Sequence, residues 1–115
     1  IDGDTIELES GKTVRLYGIS CPDKNESFYY EDKTFTQDQV AGKKFLFNTT
    51  QYQEDKLGRL LGYVLINDQN LNVELVRQGF CKPVIYQKRA KLIYQDELLE
   101  AQEQAKEEKL GIWGK

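Results

Sequence analysis

The chain has 115 residues, 30% of them charged and 39% hydrophobic, which suits one compact domain with a core large enough to fold without staples. It contains no histidine, which excludes histidine acid–base chemistry and histidine-ligated zinc, and no apolar run approaches the roughly 18 residues that cross a membrane. The net charge is −3 and the pI about 5.0, so a polyanion would have to be held by a local site rather than by bulk charge.

In chain order, Ile1-Asp2-Gly3-Asp4 reads as a strand leaving into a turn, as in a domain trimmed at its N-terminus. Thr5 to Glu9 alternates polar and apolar residues, Ser10-Gly11-Lys12 is a hairpin turn, and Thr13 to Tyr17 returns with the same period of two. Gly18 to Tyr30 has loop composition. Glu31 to Ala41 is expected to be a short helix with Phe35 as its inward anchor and Gly42 as its stop. Lys44 to Tyr52, around Phe45-Leu46-Phe47, suits a buried strand. Asp55 to Arg59 is a charged turn, and Leu60 to Ile66 is the strongest strand, ended by Asn67 to Asn70. From Asn72 the pattern becomes helical, with Val73, Leu75 and Val76 on one side and Gly79 as the stop. Gln95 to Lys109 is the clearest helix, with Leu98, Ala101 and Ala105 as its apolar stripe and Glu103, Lys106, Glu107 and Lys109 solvated. The expected class is α+β, mainly β: an OB-type five-stranded barrel with three helices, forming a single domain over residues 1–115.

Chemistry falls to carboxylates, arginines, tyrosines and two cysteines. Asp2-Gly3-Asp4 sets two carboxylates around a glycine, which suits a hard cation but equally an ordinary turn. Arg15 lies in a strand whose neighbours Val14 and Leu16 face the other way, and Arg59 follows the glycine of a turn. Two arginines neutralising a phosphorane-like charge, with a carboxylate or its metal activating water, are what phosphodiester hydrolysis without histidine requires. Cys21 and Cys81 are too few for a zinc site and too far apart for a Cys-x-x-Cys redox motif.

Ile1 to Thr5, Val14-Arg15-Leu16-Tyr17-Gly18-Ile19-Ser20-Cys21-Pro22-Asp23, Asp55 to Tyr63, Asn72 to Gly79 and Ala105 to Trp113 together resemble, in order and over almost the whole chain, the staphylococcal thermonuclease family. The resemblance implies calcium-dependent hydrolysis of DNA and RNA that leaves 3′-phosphates. Carried over by position, Asp4 is a calcium ligand, Ser20 stands at a second metal position and Cys21 lends its backbone carbonyl. Arg15 and Arg59 hold the phosphate, Asp23 stands where the family has its general base, Tyr86 lies near the base-stacking tyrosines, and Arg77 is structural. Tyr52 and Tyr63 are lesser stacking candidates, and Tyr63 is better read as covering the barrel.

Two departures bear on activity. The family's Gly-Ile-Asp-x-Pro-Glu reads here Gly18-Ile19-Ser20-Cys21-Pro22-Asp23, which removes one carboxylate from the cation site and one methylene from the base. Three functions therefore compete: a metal-dependent nuclease; a barrel that binds single-stranded nucleic acid or a protein partner without cutting; and a structural domain. The first is preferred, acting on DNA or RNA as a monomer in a secreted or extracytoplasmic setting. The family fold also brings the segment after the second helix beside the Asp23 loop, where Cys21 and Cys81 would either bridge or remain two unrelated small residues.

Overall fold

A computed structural model describes residues 5–7, 11–41, 46–54, 58–67, 69–84 and 94–114. Strand β1 (Thr5–Glu7) pairs antiparallel with β2 (Thr13–Leu16), setting Thr5 opposite Arg15. The turn between them includes Gly11 at φ +88. Alternation along β2 is plain: Val14 and Leu16 are fully buried, while Thr13 and Arg15 are half-buried on the other face.

After a turn at Gly18, Ile19–Ser20 forms a two-residue strand, β3. Helix α1 (Tyr29–Val40) follows. Strand β4 (Leu46–Glu54) pairs antiparallel with β5 (Leu60–Ile66), with an irregularity between Thr49 and Glu54. β5 runs parallel to β2, pairing Val14 with Leu60 and Leu16 with Gly62, and β6 (Gln69–Asn70) adds to its far end. Helix α2 (Leu71–Arg77), strand β7 (Lys82–Pro83), helix α3 (Gln95–Glu108) and a 3-10 turn at Gly111–Gly114 complete the order. One mixed sheet runs β1-β2-β5-β4 with β6 on β5, and β3 pairs with β7 in a small second sheet. The curled sheet and its three helices make an α+β fold of the OB type, as expected.

The core gathers Val14, Leu16 and Ile19 with Val64, Leu75, Val76, Cys81 and Leu98, all fully buried. Helix α3 contributes Leu98, Ala101 and Ala105, the stripe its spacing predicts. Helix α1 departs from expectation. It begins two residues earlier, and its buried positions are Tyr29, Asp32 and Thr36, whereas Phe35 is half-buried against Phe80 at 5.6 Å between rings. Its inward face is largely polar, so an apolar count could not find it. Strands β3, β6 and β7 are two residues long, too short for any period to show.

One buried polar side chain ties the layers together. Asn72, with no solvent exposure, donates from Nδ2 to the carbonyls of Tyr17 at 2.9 Å and Gly62 at 3.1 Å. Its Oδ1 accepts from the Val64 amide at 3.3 Å. Helix α2 is capped by Asn70, whose side chain accepts from the Val73 amide. It stops at Gly79, φ +81, where a Cβ would stand 2.3 Å from the Leu110 carbonyl. The Gly79 carbonyl in turn accepts from Ile112 N at 2.8 Å, docking the end of the chain on α2.

Arg77 is structural, as its place in α2 suggests: it donates to Glu74 at 3.0 Å. Partial burial alone would raise the Glu74 carboxyl, but hydrogen bonds from Arg77 and Gln78 outweigh it and hold the group below its ordinary 4.5; the same pairing raises Arg77. A lowered carboxyl stabilises the fold above its unfolded pKa and loses that contribution as pH falls through the folded one. Glu74→Gln should therefore cost about 0.5 kcal/mol at neutral pH, the pair being partly exposed, and nothing at pH near ~3. Urea unfolding of both proteins at the two pH values checks this. Asn72→Ala removes three buried hydrogen bonds, although the Gly62 carbonyl keeps the one it accepts from Tyr17 N at 2.9 Å, and should cost about 2 kcal/mol in the same assay. A loss below about 1 kcal/mol would mean that water replaces the side chain.

Candidate functional site

The described site residues lie along β2, at the start of β5, and on β3 with the loop after it. Arg15 is half-buried on β2. Its guanidinium donates from Nη2 to the Ile19 carbonyl at 2.9 Å and from Nη1 to the Leu16 carbonyl. A guanidinium carries five N–H donors, and these two bonds aim the fork across the turn that leads into β3.

Arg59 is half-buried and precedes β5 directly, after Gly58 at φ +77. The parallel register pairs Val14 with Leu60 and Arg15 with Leu61. Arg59 lies one residue before this pairing begins. Paired residues of neighbouring strands share a face, and side chains alternate along each strand. On β2 this puts Arg15 on the face opposite to Val14 and Leu16.

Ser20 is exposed at the end of β3, paired with Lys82. Cys21 and Cys81 form a disulfide, with Cα atoms 4.3 Å apart. The bridge continues the β3–β7 ladder by one step, since Ile19 pairs with Pro83 and Ser20 with Lys82. Of the two alternatives the sequence leaves open, the structure has the bridge. Asp23, two residues on, is exposed; its amide donates to Glu26 Oε1 at 2.7 Å and its carbonyl accepts from Glu26 N at 2.8 Å. The backbone at Asp23 is thus fixed from both sides while its carboxylate faces water.

Next to this loop lies a cleft of about 390 Å³ whose walls include Ser20, Cys21, Glu26, Phe80, Lys82 and Ile112. Lys82 packs over the Trp113 ring, 5.6 Å from its centroid, and Lys106 lies over it at 4.9 Å. Tyr63 is buried, edge-to-face with Tyr17 at 6.4 Å and with Tyr94 at 4.6 Å, so it covers the core and is not a base platform. Asp4 and Tyr86 lie outside the described residues, as do Asp55 to Leu57 and the side chain of Tyr52.

Sequence reasoning missed Asp32. It is fully buried on α1, and its Oδ1 lies 3.6 Å from Cys81 Sγ. No spacing rule links it to either cysteine; only the packing of α1 over the bridge does.

The staphylococcal nuclease homologue family model matches residues 13–115, and the chain belongs to that family. It is 34% identical over 122 aligned positions to an uncharacterized endonuclease of Escherichia coli, covering 98% of this chain and 72% of that protein. It is 29% identical to the thermonuclease of Staphylococcus hyicus and 28% identical to that of Staphylococcus intermedius, in each case over 98% of this chain and 71% of the relative. Among the described residues, no helix is long and apolar enough to cross a membrane.

The bridge closes a loop with a sequence separation of 60. On the chain-entropy model, a Cys21→Ser, Cys81→Ser double variant should lose about 4 kcal/mol in denaturant unfolding. Thiol titration of the denatured, unreduced protein should find no free thiol.

Proposed function

We propose that the chain is a nuclease that hydrolyses phosphodiester bonds of DNA or RNA, with Arg15 and Arg59 on the phosphate and Asp23 as the base. The observation that supports this reading is the parallel β2–β5 register, which brings the strand bearing Arg15 beside the strand that Arg59 leads into. Membership of a nuclease family, and relatives named thermonuclease and endonuclease, support it.

In this mechanism the two guanidiniums grip the non-bridging phosphate oxygens and stabilise the charge that grows on them in the transition state. The Asp23 carboxylate takes a proton from a water as its oxygen bonds to phosphorus. The bond to the 5′-oxygen breaks, and that oxygen takes up a proton from solvent. Tyr86 would stack a base. An acidic chain of net charge −3 obtains its affinity from these local contacts.

A calcium ion fits the available donors loosely. Ser20 offers a neutral, exposed hydroxyl, Cys21 a carbonyl pinned by the bridge, and Asp4 the carboxylate. Calcium takes about six to eight oxygens and gains affinity with each added carboxylate. When bound there, the ion would supply positive charge beside the phosphate. The reading takes residues 1–115 as one domain acting as a monomer. The disulfide supports a secreted or extracytoplasmic setting, since such bridges persist in oxidising compartments.

Digestion of single-stranded DNA with and without calcium tests the proposal. Arg15→Ala and Arg59→Ala should each lower kcat on the order of 10²-fold. Ser20→Asp should tighten calcium binding in calorimetry and raise the rate. The neutral Ser20 and the shortened Asp23 favour a second reading, binding without cutting. Wild-type protein that binds oligonucleotide but leaves it intact with calcium present would establish that reading and end the first.

A further inference from the structure

The nuclease reading leaves Asp32 without a role. It is fully buried in α1, beneath the β3–β7 pair. The two sulfurs of Cys21 and Cys81 and a carboxylate oxygen of Asp32 lie within 4.8 Å of one another. While the bridge stands, Cys81 Sγ carries no hydrogen to donate to the oxygen 3.6 Å away. Once it opens, two thiols and a carboxylate converge on one point from three separate elements.

We propose that the reduced protein binds a zinc-type ion through Cys21 Sγ, Cys81 Sγ and a carboxylate oxygen of Asp32. Tetrahedral zinc with Zn–S near ~2.3 Å and Zn–O near ~2.0–2.2 Å requires an S···O edge of about 3.5 Å and an S···S edge of about 3.8 Å. The Cys81–Asp32 edge, at 3.6 Å, already has that length. The S–S edge must lengthen, which reduction permits by cutting the bond that fixes it, and the Cys21 sulfur, within 4.8 Å of the Asp32 oxygen, then has to settle at the same S···O edge length.

The fourth position and the way in lie on the Cys21 side. Cys81 and Asp32 have no solvent exposure, whereas Cys21, 9% exposed, lines the cleft beside Ser20, Glu26 and Lys82. Water in that cleft supplies a fourth ligand. Two thiolates select a borderline-soft ion over calcium, so this site is distinct from the oxygen donors of Asp4 and Ser20. Two cysteines alone are too few for zinc; the buried carboxylate supplies the missing protein ligand.

The chemistry balances with a dithiol as reductant. It gives two electrons and two protons to the bridge and becomes a disulfide itself; the two new thiols then release two protons as the ion binds. Bridge and ion exclude each other. The bridge belongs to an oxidising compartment and the ion to a reducing one, so the segment that carries Ser20 and Asp23 is fastened to β7 in both.

Cobalt titration of protein reduced with a phosphine tests the site, since cobalt takes the place of zinc and reports thiolate ligation by charge-transfer absorption. Reduced wild type should bind one cobalt per chain with that absorption, and zinc should displace it. Oxidised protein should show none. Asp32→Asn should weaken binding about tenfold or more, and Cys81→Ser should abolish the thiolate signal. Zinc should also raise the melting temperature of reduced protein and leave oxidised protein unchanged, a reading that needs no variant. Absence of the charge-transfer band in reduced wild type, folded or not, would overturn the proposal, as would an Asp32→Asn variant that binds as tightly. None of these readouts depends on nuclease activity, so failure here leaves the function proposed above untouched.

Discussion

The Asn72 side chain is the constraint on which the rest of the molecule depends. β2 ends at Leu16 and the chain turns away at Tyr17, leaving backbone groups of Tyr17, Gly62 and Val64 in the interior where α2 crosses the sheet. A buried carbonyl or amide without a partner costs on the order of 1–3 kcal/mol. One amide side chain, presented from the first turn of α2, bonds to all three, and the Gly62 carbonyl accepts from the Tyr17 amide as well. It thereby fixes the position of α2 relative to β2 and β5, the two strands that carry Arg15 and lead in from Arg59. Because α2 is held, Gly79 is held, and the close approach of Gly79 to Leu110 and Gly111 then places the C-terminal turn.

The same logic governs the loop that bears Asp23. Three independent restraints act on it within a few residues: the Arg15 fork on the Leu16 and Ile19 carbonyls, the β3–β7 pairing extended by the disulfide, and the reciprocal bonds between Asp23 and Glu26. Each orders backbone, and none of the three engages the Asp23 carboxylate. In the proposed mechanism, the base would need this separation: a fixed attachment point with the reacting atom facing the substrate. The loss of one methylene relative to glutamate makes the attachment point matter more, since a shorter side chain has less reach to compensate for a displaced backbone.

What the sequence made legible follows from what has a period. Helix α3 is long and amphipathic, and its buried Leu98, Ala101 and Ala105 were readable from spacing alone. β2 and β5 were equally readable, because alternation or an unbroken apolar run marks them. The arginines stood out through their place after a glycine turn and within a strand, and the order of motifs supplied the family. The polar interior was not legible. Asn72 read only as the start of a helix and Asp32 drew no attention, since a buried polar group looks like an exposed one until its partners are known. Phe35 drew attention as the apolar residue of α1, yet the helix turns Tyr29, Asp32 and Thr36 inward.

The buried polar groups divide by what they do for the fold. Asn72 is neutral and bonds to backbone groups of Tyr17, Gly62 and Val64. Asp32 is a carboxylate beside a disulfide, and the sulfur next to it is chemically different before and after reduction. Burying a carboxylate costs several kcal/mol unless charge or hydrogen bonds compensate. A thiol proton or a cation at the same point compensates well. Only in the reduced protein would two thiolates stand beside the Asp32 carboxylate and let a cation join them, and the loop next to them carries residues on which the proposed hydrolysis would depend.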